Sequence, residues 1–335
     1  MNPELLHVLA GAGIRRRLAW DDIVVLQNYG PVPVPPEWAG DRNIERGLNF
    51  LILEGAKPTH FCKCRSANNV YLNRETLIRR SLAPVDAGLR VPSAESANSH
   101  ILSIQTSRFL DGPHFGMIVP GQTTSEFVGA LELILSGLRA LADRSVATLD
   151  GMGDGMGRRE AAVDFAGASL ESLRQLSPVL NVNGASHEAC SMVLDRAGEL
   201  TERPQHGDLW FRNVIRFEDQ YWAIDLEEYG DIRVPLFDDL TLLVSALAIR
   251  QTEGGVQALC ADGEEALACR SLLARRARSE GVSAEQLDAV LAFYVLVRAH
   301  AVYFRAGPKY AFPHLRTARY VLERFERGDR GLLQP

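Results

Sequence analysis

At 335 residues the chain is longer than a single compact core usually serves, so two lobes are expected. Hydrophobic residues make up 46% and charged residues 23%, an ordinary soluble composition. The net charge of -6 excludes a polyanion such as nucleic acid as the main partner, because that partner needs a basic surface.

The 5 cysteines are an odd number without regular spacing, which does not make a disulfide framework. None of the 8 histidines stands at zinc-ligand spacing from them. No apolar stretch approaches the roughly 18 residues of a membrane span, so no membrane partner is expected. The opening MNPELLHVLAGAGIRRR puts Arg15, Arg16 and Arg17 after a short apolar segment, the reverse of a secretory signal. Cytoplasmic residence is therefore expected, with the arginines read as a solvated helix end.

In chain order, residues 2–12 read as a short helix and Ile23 to Gln27 as a strand. Pro31, Pro33, Pro35 and Pro36 then make a connector that continues neither kind of regular structure. Leu48–Glu54 and Thr59–Arg65 read as a β-hairpin around the turn Gly55-Ala56-Lys57-Pro58. Cys62 and Cys64 flank Lys63 in the second strand, so the thiols point away from the lysine. Residues 73–82 look helical, and strands near 90–94 and 101–110 follow.

Beyond Gly112 helices take over. Residues 125–142 carry Phe127, Leu131, Ile134, Leu138 and Leu141 at helical spacing. Further helices are expected over about 159–176, about 185–200 and 312–327. Ser283 and Gln286 form a capping-box pattern before LDAVLAFYVLVRAHAVYF, apolar nearly all round and so expected in the core. The glycine-rich GMGDGMG at 151–157 lies between helices rather than after a strand, and reads as a surface loop instead of a phosphate loop.

One strand island, residues 213–227, interrupts the helices. Asn213–Phe217 and Tyr221–Asp225 read as strands joined by Glu218-Asp219-Gln220, which sets residue 214 opposite about 224 and Asn213 beside Asp225. Asp208 lies on the loop entering this hairpin. Asp225 and Asn213 offer the hard oxygen donors that Mg²⁺ prefers. Asp208 is then free to orient an attacking hydroxyl and accept its proton, which suits phosphoryl transfer. His206, two residues before it, reads as a brace for the loop.

The run H-G-D-L-x-x-x-N followed by I-D-L-E resembles the aminoglycoside phosphotransferase and choline kinase superfamily, whose pattern is H-G-D-x-x-x-x-N, then I-D-x-E, then an aspartate before a helix. His206, Gly207, Asp208, Asn213, Asp225, Glu227 and Asp238 of PLFDDL match it. The wording HGDLW is similar to fructosamine-kinase-like members. The resemblance implies an α+β, bilobal, protein-kinase-like fold. Its N-lobe, a small antiparallel sheet with one helix, would span 1–110, and a mainly helical C-lobe 111–335.

It further implies Asp208 as catalytic base, Asn213 and Asp225 as magnesium ligands, and His206, Glu227 and Asp238 as structural support, with Asp239 competing for the role of Asp238. Lys63 and Glu75 would be the nucleotide-site lysine and its helix glutamate, with Lys57 as the rival lysine. The stretch SIQTSRFLDG, residues 103–112, resembles the last N-lobe strand and hinge.

The cofactors implied are Mg²⁺ and ATP or GTP. The acceptor would be a hydroxyl of a small metabolite, sugar, amino alcohol or antibiotic, and the protein a monomer or homodimer. Two departures stand out: no clear glycine-rich loop precedes Lys63, with only Gly40 and Gly47 nearby, and Phe211-Arg212 is bulky where small residues are often found. They keep open a catalytically silent protein on the same scaffold. A protein kinase is disfavoured, because Trp210 stands where those enzymes carry a lysine and no activation segment follows Asp225.

Overall fold

The alternation of apolar and polar residues along two neighbouring strands lays down the N-terminal sheet. The computed structural model describes residues 8–9, 11–14, 18, 20–26, 48–66, 70–100, 102–151, 192–193, 195–251, 254–306 and 308–327. Strands β1 (Ile23–Leu26), β2 (Leu48–Glu54), β3 (Lys57–Ser66), β5 (Ala94–Asn98) and β6 (Leu102–Arg108) form an antiparallel sheet in the order β1-β2-β3-β6-β5. The β2–β3 turn is shorter than the four residues expected. Lys57 already pairs with Glu54, and a bulge between Ile52 and Leu53 absorbs the offset.

The two faces of this sheet differ in chemistry. One buries Phe50, Ile52, Cys62, Cys64 and Ile104 with Val8, Leu9, Ala12, Ile14 and Leu18. The other carries Lys63 and its cross-strand neighbour Gln105 toward helix α1 (Val70–Leu82). There Gln105 Nε2 donates to Thr76 Oγ1 at 2.9 Å. The expected strand near 90–94 divides in two. Pro92 has no N–H for a ladder, so Ala94–Asn98 becomes the sheet edge while β4 (Leu89–Arg90) runs parallel to a strand far along the chain.

That partner belongs to a second, three-stranded sheet of order β4-β8-β7, with β7 (Val214–Phe217) and β8 (Gln220–Ala223) antiparallel. Their turn holds two residues rather than three. Glu218 and Asp219 both adopt positive φ, 49° and 56°, so Val214 pairs with Ala223 rather than with residue 224.

Helices α2 (Phe115–Ile118), α3 (Thr124–Gly151), α4 (Phe237–Arg250), α5 (Val256–Cys260), α6 (Glu264–Ser279), α7 (Ala284–Ala306) and α8 (Pro308–Glu326) supply the rest. They bury a larger core that includes Phe127, Leu131, Ile134, Phe237, Leu240, Leu273, Leu291 and Leu296. Thr123 and Glu126 cap α3 reciprocally, as Ser283 and Gln286 do α7. Gly137 lets β4 press onto α3: a Cβ there would stand 2.1 Å from Leu89 N and 2.3 Å from Ala87 O. No described helix is long and apolar enough to cross a membrane. Residues 2–7, the proline-rich connector, the expected helix at 159–176, half of that at 185–200 and residues 152–157 of the glycine-rich stretch lie outside the described residues.

Candidate active site

Strand periodicity turns Lys63 off the apolar face and into a cluster of carboxylates. Its Nζ lies 3.0 Å from Glu75 Oε2 of α1, 2.8 Å from Asp225 Oδ1 and 2.8 Å from Glu227 Oε1. Burial opposes the Lys63 charge, but Glu75, Asp225 and Glu227 outweigh it and raise the pKa above the ordinary lysine range. Lys57, the rival, pairs in the β2–β3 ladder with Glu54.

Glu75 is itself buried, and burial works against its charge. Lys63 and Arg79 prevail and hold it below the usual carboxylate range. Arg79 Nη2 lies 2.7 Å from Glu75 Oε1, which also accepts the Leu226 N–H at 3.2 Å. Arg65 shares a β3 face with Lys63 and donates to Glu227 Oε1 at 3.3 Å and to Asn49 Oδ1 at 3.2 Å.

Asp225 terminates the hairpin in a left-handed conformation, φ 61°. The Lys63 ammonium beside it, against the opposing effect of burial, lowers its pKa to about 2. One residue earlier, Ile224 N–H donates to Asn213 O at 3.0 Å, which holds the Asn213 and Asp225 backbones together. Asn213 Nδ2 donates to Asp208 O at 2.8 Å and approaches Asp208 Oδ2 at 3.5 Å. The amide oxygen of Asn213 and Oδ2 of Asp225 remain as hard donors without a hydrogen-bonding partner among the described residues, and such a pair fits Mg²⁺.

The loop carrying Asp208 is held from below. Asp238, fully buried at the start of α4, accepts the N–H of His206 and, at 3.1 Å, that of Gly207. Gly207 adopts φ 88°, a conformation a side chain would strain. The neighbouring Asp239 faces the other way and pairs with Arg276 of α6 at 2.8 Å. Burial outweighs these donors and raises Asp238 to about 6. His206 Nε2 donates to Ile224 O at 2.8 Å, tying loop to hairpin.

Beyond the loop, Arg74 of α1 donates to Tyr229 O at 2.6 Å and pairs with Asp231 at 2.9 Å. Gly230 N–H donates to Gln205 O at 2.7 Å, and Gln205 N–H to Ile232 O at 3.0 Å. The residues after Asp225 are therefore bound on both sides before α4 begins.

The geometry thus brings Lys63, Glu75, Asp225 and Glu227 into direct contact, and Asp208, Asn213, His206 and Asp238 into one linked loop. Sequence reasoning had passed over Arg65, Arg79 and Arg298. Arg298 Nη1 of α7 lies 2.9 Å from Asp208 Oδ1. Its signal was visible as a charged residue inside LAFYVLVRAHAVYF.

No protein-family model matches the sequence, and no curated protein matches it either. Solved structures do. Aminoglycoside phosphotransferase APH(2'')-Ib in its ADP-bound form is 14% identical, covers 97% of this chain and 99% of its own, and superposes with a TM-score of 0.56. The streptomycin-ATP-APH(2'')-IIa ternary complex gives 14% identity, 96% and 98% coverage, and a TM-score of 0.56. The apo form of a thermostable mutant of APH(4)-Ia gives 14%, 92% and 95%, and 0.53.

The chain has the aminoglycoside phosphotransferase fold. The expected α+β, protein-kinase-like architecture is therefore present, with the five-stranded antiparallel sheet toward the N-terminus and a mostly helical C-terminal part. In this aminoglycoside phosphotransferase fold the Lys63 cluster lies where the sheet meets the hairpin, and Asp208 faces α7.

Proposed function

We propose that this protein is a small-molecule kinase that transfers the γ-phosphoryl group of ATP or GTP to a hydroxyl of a small metabolite, sugar, amino alcohol or antibiotic. The observation that carries this reading is the contact of Lys63 with both Glu75 and Asp225, beside a loop on which Asp208 and Asn213, five positions apart, touch. Residues 1–110 form the nucleotide lobe and 111–335 the acceptor lobe.

Lys63, oriented by Glu75, holds the nucleotide phosphates. Asn213 and Asp225 hold Mg²⁺, which neutralises phosphate charge when bound. Asp208 accepts the hydroxyl proton as the acceptor oxygen bonds to the γ-phosphorus and the bond to the nucleoside diphosphate breaks. His206, Glu227 and Asp238 keep these groups in place.

A thermal-shift titration with ATP and GTP, each with and without Mg²⁺, tests this on the wild type and on Asp225→Ala. A nucleotide at a hundredfold excess over Kd adds about 2.7 kcal/mol of stability. A magnesium-dependent shift that disappears in Asp225→Ala is expected; no shift with either nucleotide in folded protein overturns the reading.

The second reading, a catalytically silent binding protein, draws on the crowded loop. Arg212 stacks on the Trp210 ring at 5.1 Å and on the Phe211 ring at 5.7 Å. Nucleotide binding without transfer to any hydroxyl compound would favour it.

A further inference from the structure

Helix α7 is apolar at one position after another, with Phe293, Tyr294, Val295, Leu296, Val297 and Ala299 all buried. Arg298 stands among them and still reaches Asp208. Burial opposes its charge, yet Tyr294, Asp208 and Glu228 around it more than offset that and raise its pKa. The charge is felt on α8 as well: His314 is held below the ordinary histidine range by burial and by Arg298.

A guanidinium has five N–H donors in a fixed planar fork. Here Nη1 donates to Asp208 Oδ1, and Nε and Nη2 donate to no described residue. The side chain is only partly buried, 28% exposed, so these unused donors are open to an anion arriving from solvent. Its position is telling, because it touches the very carboxylate that would receive the acceptor's proton.

We propose that Arg298 selects the acceptor: it receives a carboxylate or phosphate carried by the hydroxyl compound and thereby releases Asp208 Oδ1 for the hydroxyl. The inference rests on the kinase reading above and narrows its substrate class. An incoming carboxylate or phosphate engages two guanidinium nitrogens side by side, which exceeds the single Nη1 contact that Asp208 makes. A polycationic acceptor would instead meet the guanidinium's charge at the point of reaction. Without an acceptor, Arg298 occupies the base and restrains it from activating water. In the loaded complex the acceptor oxygen attacks the γ-phosphorus, the nucleoside diphosphate leaves, and the proton passes to Asp208.

The test uses the full chain once Mg-ATP or Mg-GTP binding has been measured by thermal shift. In the first arm, nucleotide hydrolysis is followed with no acceptor present. Arg298→Gln is expected to hydrolyse about threefold faster than wild type or more, and adding Asp208→Asn is expected to abolish the gain.

The second arm compares glycerate and glycerol 3-phosphate with the neutral glyceramide and glycerol and with the polycation kanamycin. Wild type is expected to prefer an anionic member, and which of the two separates carboxylate from phosphate recognition. Arg298→Gln raises KM for that compound about tenfold with little change in kcat, does not raise KM for the neutral compounds, and Arg298→Lys recovers part of the loss.

Hydrolysis that is unchanged or slower in Arg298→Gln overturns the proposal, as does preference for a neutral or cationic compound. If neither nucleotide binds, the kinase reading falls too; if nucleotide binds and only these outcomes fail, the kinase reading stands and Arg298 does not select.

Discussion

Glu75 Oε1 accepts the backbone N–H of Leu226 at 3.2 Å, although the two residues lie 151 positions apart. The same oxygen takes Arg79 at 2.7 Å, and the partner oxygen takes Lys63 at 3.0 Å. One buried carboxylate thus joins the helix of the sheet layer to the residue following Asp225. Glu75→Gln would leave Arg79 and Lys63 buried with less compensation. It is expected to cost about 3 kcal/mol in urea unfolding, because removing one partner of a buried pair strands the other. It should also weaken nucleotide binding in the proposed kinase.

Asp208→Asn separates chemistry from binding. The amide keeps the size of the side chain but takes no proton. In the proposed reaction kcat is expected to fall about 10²- to 10⁴-fold, the usual contribution of a general base. Nucleotide affinity by calorimetry should be nearly unchanged, since Asp208 touches Arg298 and Asn213 rather than Lys63.

Asp238 makes a pH-dependent contribution of unusual sign. Its folded pKa is about 6 against an ordinary 3.8, because burial disfavours the charge. The folded state therefore binds more protons than the unfolded state between these values. Its stabilising contribution is complete at the acid end and is lost as pH rises from about 4 to about 6, by about 3 kcal/mol at most. Denaturant unfolding at several pH values in that window should show this slope, and Asp238→Asn should remove it.

Gly137→Ala tests the seam between α3 and β4. The added methyl would overlap Leu89 N and Ala87 O, both backbone atoms that cannot rotate away. Overpacking of this kind costs about 1–3 kcal/mol, so a clear drop in Tm is expected while Gly129→Ala, with open space around it, is neutral or stabilising.

Much of the fold was legible because strong local patterns carried it: the β2–β3 hairpin, helix α3 and the Ser283–Gln286 cap all follow from spacing alone. The motif around Asp208 was legible for the same reason. What escaped depended on geometry that neighbours in sequence do not encode. Glu218 and Asp219 accept positive φ without advertising it as Asn-Gly would, so the hairpin register is one residue off the expectation. The choice between Asp238 and Asp239 turns on helix phase, which sends one to the loop and the other to Arg276. Arg298 meets Asp208 across 90 positions, and Leu89 meets Tyr221 by leaving the sheet its neighbours join.

The stretch from Asp225 to the start of α4 at Phe237 is short and tethered at Tyr229, Gly230, Asp231 and Ile232. Protein kinases place at this point the long segment whose covalent modification turns them on. Here there is no slack to swing aside, so the Lys63–Asp225 geometry stands assembled from the moment the chain has folded. The proposed kinase would need no rearrangement of this stretch to set Lys63 beside Asp225.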